Sequence, residues 1–111
     1  MLAATCELPL DQGGTWNPVV TMYATNLTGY SARFVVKAKQ GDTSALLDLD
    51  SDSGAVTVTP GTDSTIQPVV TAAQAAALPA GRLVYDLTIT QGTTTYRVLT
   101  GVLVVRPRVA T

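Results

Sequence analysis

The chain has 111 residues, of which 46% are hydrophobic and 14% are charged, and its formal net charge is −1. This length and apolar content predict one folded domain over residues 1–111 and argue against disorder. The seven basic side chains are scattered among eight acidic ones, so no basic stripe supports nucleic-acid binding. No apolar run is long enough to span a membrane, and no membrane partner is expected.

Short strands separated by turns are predicted for the first half of the chain. An edge strand is expected at 5–10, where Pro9 needs an unpaired position, and a second strand at 15–25, weakened by Pro18. The strand at 30–39 is the clearest, because apolar residues alternate with mostly charged ones from Ala32 onward. Short strands follow at 45–49, 55–59 and 64–70.

A short helix is predicted at about 71–78. Thr71 and Gln74 have the spacing of a capping box, in which each side chain bonds a backbone N–H at the start of the helix. Pro79 cannot continue the helix, and Gly81 can adopt a left-handed turn. The helix should therefore end before residue 79.

The most regular strand follows the helix. Leu83, Tyr85, Leu87 and Ile89 alternate with polar residues, which predicts a half-buried antiparallel strand. The last strand, at 94–106, should place Tyr96 on one face and Leu99, Leu103 and Val105 on the other, with Gly101 marking a bulge or a close backbone approach.

Seven or eight short strands in about 100 residues predict an all-β, immunoglobulin-like antiparallel sandwich. The helix suits the crossover between strands E and F, and Tyr85 stands where a tyrosine corner would lie. The tryptophan of strand C and the inter-sheet disulfide of antibody domains are both missing, so the pattern indicates the sandwich architecture alone.

Catalytic chemistry has little support in the sequence. The chain contains no histidine, which removes the commonest general base and metal ligand. Cys6 has no basic neighbour in sequence to lower its pKa, so an inert thiol is favoured over a nucleophile. We expect no enzyme activity and no cofactor.

Asp48, Asp50 and Asp52 are the weak candidates for a metal site. Their spacing imitates the first ligands of an EF-hand loop, but Ser53 occupies the position where that loop needs glycine, and Thr59 the position of its bidentate glutamate. A polar hairpin turn is favoured over a calcium site.

A protein interface is expected at the end of the chain. Leu99, Leu103 and Val105 form an apolar second face on the long last strand, which would suit self-association into a homo-oligomer. Arg106 and Arg108 form either a docking tail or a frayed terminus.

Five short segments together give the chain a resemblance to a known family. They are Gly13-Gly14-Thr15-Trp16, Leu27-Thr28-Gly29-Tyr30-Ser31-Ala32-Arg33, Leu78-Pro79-Ala80-Gly81, Val84-Tyr85-Asp86-Leu87 and Gly101-Val102-Leu103-Val104. In this order they resemble the small immunoglobulin-like modules of tailed-bacteriophage virions, with the N-terminal domain of baseplate upper proteins as the nearest named relative. Gly14 departs from the Asp that many of these relatives carry.

The resemblance implies a non-enzymatic virion protein, assembled in the host bacterial cytoplasm, whose partners are other phage virion proteins. With no fibre extension after Thr111, an accessory or adaptor module of the tail or baseplate is favoured over a host-recognition protein. A capsid decoration or head-fibre protein is the first alternative. The second is a small carbohydrate-binding sandwich, for which Trp16, Tyr23, Tyr30 and Tyr96 are too few and too dispersed.

Overall fold

The computed structural model describes residues 4–5, 7–39, 41 and 44–107, and its described part is an all-β sandwich with one short helix. The elements in chain order are β1 (Ala4–Thr5), β2 (Leu8–Asp11), β3 (Val20–Met22), β4 (Ser31–Lys37), β5 (Leu47–Asp50), β6 (Val56–Thr59), β7 (Ser64–Pro68), α1 (Ala72–Ala77), β8 (Gly81–Gln91) and β9 (Thr94–Arg106). No helix among these residues is long and apolar enough to cross a membrane.

The strands form two sheets in the immunoglobulin-like arrangement. The larger sheet has the order β1-β9-β8-β4-β5, with β2 also on β9, and the smaller has the order β3-β7-β6. The connections from β3 to β4 and from β7 to β8 thus cross from the smaller sheet to the larger one, as the B–C and E–F connections of such a sandwich do. One difference from the predicted antiparallel sandwich is that β1 and β2 run parallel to β9, which makes the larger sheet mixed.

Helix α1 lies in the E–F crossover, between β7 of the smaller sheet and β8 of the larger one. Thr71 is its N-cap, and both bonds of the predicted capping box are present. Pro79 follows the C-cap Leu78, and Gly81 begins β8 with φ 124°, a conformation that favours glycine. The predicted helix is confirmed.

The core lies between the sheets and is mainly aliphatic. Tyr85 and Leu87 are both almost fully buried, on the inward face of β8 as the alternation predicts. The ring of Phe34 lies between those of Trp16 and Tyr85, with centroid distances of 5.6 and 5.7 Å. These rings join the larger sheet to the loop before β3.

The strands of the first half are shorter than predicted where proline interrupts pairing. The predicted strand at 15–25 reduces to β3, and before Pro18 only an isolated bridge between Trp16 and Val70 remains. The reason is that proline donates no hydrogen bond to a sheet ladder.

The predicted faces of β9 are corrected by a bulge at Val98. Leu87 pairs with Leu99 while Thr88 pairs with Arg97, so Val98 has no partner in the ladder. This extra residue reverses the alternation, and Tyr96 and Leu99 pack against the same core instead of facing opposite sides. The bulge is not at Gly101, which pairs with Tyr85 in regular register. The backbone φ of Gly101 is 151°, and this conformation explains why a glycine occupies the position.

Candidate interaction surfaces

The apolar residues predicted to form an interface on β9 lie in the core or against it. Leu103 and Val105 are 0% and 1% exposed and belong to the core, and Leu99 packs against it. β9 pairs with β8 along one edge, and on the other edge β1 and β2 pair with it at Leu99–Thr100 and Leu103–Arg106. Among the described residues, the start of β9, at 94–98, is left without a strand on that second edge. That part of the prediction is wrong because Leu103 and Val105 lie at the inward positions of β9, whereas the alternate residues Val102 and Val104 are only half-buried.

The outer side of the larger sheet and its margins carry ion pairs. Arg106 is exposed and donates to both carboxylate oxygens of Asp11, at 2.6 and 3.1 Å. Arg108 and Cys6 lie outside the described residues. Each described arginine has an acidic partner: the pairs are Arg33–Asp48, Arg82–Glu7, Arg97–Asp86 and Arg106–Asp11.

Arg33 and Asp48 form the best-aligned of these pairs, with two side-chain hydrogen bonds across β4 and β5. Hydrogen bonding by the guanidinium, more than simple charge attraction, holds the pKa of Asp48 below its ordinary value and raises that of Arg33. Both side chains are about half exposed, so solvent screens the pair.

The acidic turn residues are engaged in structural bonds. Asp48 is bound to Arg33, and Asp50 accepts a hydrogen bond from the backbone N–H of Ser53 at 2.8 Å. The segment 51–54 is a turn between β5 and β6, as the favoured interpretation expects. Within the described ranges, no three acidic, Cys or His side chains lie close enough together to hold a metal ion. This includes the carboxylates of Asp48, Asp50 and Asp52.

A cleft of about 470 Å³ lies on the outer side of the larger sheet. Val35, Val84 and Val102 are its apolar lining, and Lys37, Asp86 and Arg97 are its charged lining. Arg97 on β9 forms an ion pair with Asp86 on the neighbouring strand β8, on the outward side of the sheet.

The carboxylate of Asp86 is only partly satisfied. Arg97 Nε lies 3.3 Å from Asp86 Oδ1, which is an ion-pair distance. Their geometry does not make a hydrogen bond, and Oδ1 is buried without a donor from the described part of the chain. A buried oxygen without a donor is uncommon and calls for a physical explanation.

The outer side of the smaller sheet, here called the neutral face, carries no charged side chain within strands β3, β6 and β7. The exposed Asp63 lies at its margin and accepts a hydrogen bond from the backbone N–H of Ala24 at 2.7 Å. Its centre is formed by Thr21, Thr65 and Thr59, which lie side by side on the three strands. Val19 and Tyr23, 58% and 77% exposed, flank β3. The neutral face consists of Val19, Thr21, Tyr23, Thr57, Thr59, Thr65 and Gln67.

Sequence reasoning did not identify the neutral face as a surface. The signal was present, since the residues at alternate positions in 19–23, 57–59 and 65–67 are all uncharged. Recognising it required knowing that these three segments form one sheet. Pairing between strands distant in sequence supplies that information.

No protein-family model matches the chain, and no curated protein matches it significantly.

Proposed function

We propose that this chain is a non-enzymatic structural protein of a bacteriophage virion, an accessory or adaptor module of the tail or baseplate that acts through protein–protein contacts. The resemblance of its five sequence segments to phage immunoglobulin-like modules supports the virion role. The neutral face supports the contact role, and it is the observation that carries the proposal.

The neutral face suits burial against protein for an energetic reason. Moving a charged side chain out of water is costly unless it is paired, whereas hydroxyl and amide groups need only hydrogen bonds. The centres of protein interfaces are accordingly depleted in charge and enriched in tyrosine. Tyr23 is the most exposed large hydrophobic residue that the structure describes, and a partner would bury it.

The edges of the smaller sheet add to this argument. β3 and β6 each pair only with β7, so each leaves one edge without a strand partner among the described residues. Exposed edges are often protected by charged residues, but Val20–Met22 and Val56–Thr59 contain none. Either edge could therefore receive a strand from a neighbouring virion protein or from a second copy in a homo-oligomer.

The test is incorporation into particles. Phage carrying Thr65→Arg would place a charge at the centre of the neutral face without changing the core, and we expect its particles to lose this chain. Thr95→Arg is the matched control, since it adds the same charge to the exposed start of β9. Purified particles are probed for the chain by mass spectrometry.

Absence of the wild-type chain from purified particles would refute the virion role. Equal incorporation of both variants would refute the contact role of the neutral face. Locating the chain on the head rather than the tail would select the capsid decoration or head-fibre alternative.

The carbohydrate-binding alternative rests on Tyr23 alone. Aromatic rings that stack on sugars need exposure, but Trp16, Tyr30 and Tyr96 pack partly buried against the core. A sugar-dependent rise in melting temperature that Tyr23→Ala abolishes would favour that alternative.

A further inference from the structure

The cleft on the larger sheet contains two polar groups whose bonding is incomplete. Lys37 is half-buried at the end of β4 and makes no ion pair with the described residues. Asp86 Oδ1 is buried and has no hydrogen-bond donor there. Both side chains line the same cleft, and the Asp86 side chain as a whole is 39% exposed, so one bound molecule can contact Lys37 and the exposed part of this carboxylate.

The charges of the cleft favour an acidic ligand. Among the lining residues that the structure describes, Lys37 and Arg97 are positive and Asp86 is negative, which leaves one positive charge in excess beside an apolar lining. A cation bound there would be repelled by two basic groups, whereas a carboxylate near Lys37 would complete a second ion pair.

The sheet positions arrange these groups for an elongated ligand. Val84 pairs with Lys37 on one side and with Val102 on the other, so these residues form a row across β4, β8 and β9. Asp86 lies in the next outward row, between Val35 and Thr100. A carboxylate-binding group, an apolar strip and a hydrogen-bond acceptor therefore lie next to one another.

We propose that this cleft binds an extended acidic segment of a partner polypeptide. A glutamate or aspartate carboxylate of the segment pairs with Lys37, and a main-chain N–H donates to the exposed part of the Asp86 carboxylate. An apolar side chain of the segment covers Val84 and Val102. The inference rests on the proposed role of the chain as a contact module, and it specifies the chemistry of one partner.

The test is to titrate the isotope-labelled chain at low salt with a capped pentapeptide, Val-Thr-Glu-Val-Thr. Binding is monitored through the amide chemical shifts of the chain. We expect saturable shifts centred on Val35, Val84 and Val102. Replacing the glutamate of the peptide by glutamine should weaken binding about threefold to tenfold, as expected for loss of a charge-assisted contact. Sodium acetate at the same concentration should not reproduce the shifts.

Two protein variants locate the contact. Lys37→Gln should weaken binding of the glutamate peptide about threefold to tenfold and abolish the preference for glutamate over glutamine. Lys39→Gln removes the same charge two residues away and should change affinity less than about twofold, because Lys39 lies outside the cleft lining and would not contact the peptide carboxylate directly. Unchanged spectra away from the substitution would show that both variants are folded.

Several outcomes would overturn the proposal: no saturable shift, shifts centred outside the cleft, equal affinity for the glutamate and glutamine peptides, or equal effects of the two lysine variants. Equal binding of acetate would show a site for small carboxylates and not for a polypeptide. The titration uses the isolated chain, so its failure leaves the particle-incorporation result unaffected, and failure of incorporation leaves the peptide result unaffected.

Discussion

The hydroxyl of Ser64 accepts a hydrogen bond from the backbone N–H of Leu27 at 2.9 Å, inside the sandwich. Both residues are buried, and Ser64 is the only buried polar residue that the structure describes. The same hydroxyl donates to the carbonyl oxygen of Thr25 at 2.8 Å. One side chain at the start of β7 thus fixes the turn that leads from β3 toward β4.

We predict that Ser64→Ala lowers the free energy of unfolding by about 1–3 kcal/mol, because the backbone N–H of Leu27 would stay buried without an acceptor. Urea unfolding followed by circular dichroism measures the change. Ser44→Ala, at an exposed position, should change stability by less than about 0.5 kcal/mol. Equal effects of the two substitutions would show that the Ser64 bond contributes nothing.

We predict a large difference between two neighbours on β9. Leu103 is fully buried, so Leu103→Ala should cost about 2–5 kcal/mol of stability through lost burial and the cavity left behind. Val102 faces outward and is half-buried, and Val102→Ala should cost less than about 1 kcal/mol. The same unfolding assay compares them, and a larger cost at Val102 would mean that the strand faces are reversed.

The capping box of α1 gives a third prediction. Thr71→Ala removes the acceptor for the backbone N–H of Gln74 and should lower stability by about 1 kcal/mol. Thr71→Ser keeps the hydroxyl and should retain most of that stability. If thermal unfolding shows the same loss for both variants, the threonine acts through its methyl group and not as a cap.

The Arg33–Asp48 pair gives a prediction about pH. The pKa of Asp48 is lowered in the folded chain, chiefly by hydrogen bonding to Arg33. The pair therefore stabilises the fold above the unfolded pKa of about 3.9, and that contribution is lost as the pH falls through the lower, folded value. Because the pair is exposed, the contribution at pH 7 should be no more than about 1 kcal/mol.

Asp48→Asn tests this by urea unfolding at several pH values. The variant should be less stable than the parent at pH 7 and equally stable once the pH is below the folded pKa of Asp48. Asp52→Asn, at an exposed turn position, is the control. A stability difference that is the same at every pH would show that the carboxylate charge is not the cause.

Local patterns were sufficient to predict much of the fold. The Thr71–Gln74 spacing, Pro79 and Gly81 define the crossover, and the alternation from Leu83 to Ile89 identifies the buried face of β8. Each of these signals acts over a few residues, where backbone geometry and capping determine the outcome.

The surfaces could not be predicted in the same way. The bulge at Val98 depends on how β9 aligns with β8, and the alternation of β9 alone does not contain that register. The burial of Leu103 and Val105 depends on which face of β9 packs into the core between the two sheets. The cleft likewise combines Lys37, Asp86 and Arg97 from three strands that only the sheet order brings together.

The parallel pairing of β1 and β2 with β9 has a mechanical consequence. If the segments before Ala4 and after Arg106 were pulled apart, the load would fall along these strands, across the hydrogen bonds that join them. Such bonds are sheared together instead of being broken one at a time. The ion pair between Asp11 and Arg106 lies at the end of the β2–β9 pairing. A force applied between the two ends of the chain would therefore meet these bonds in shear.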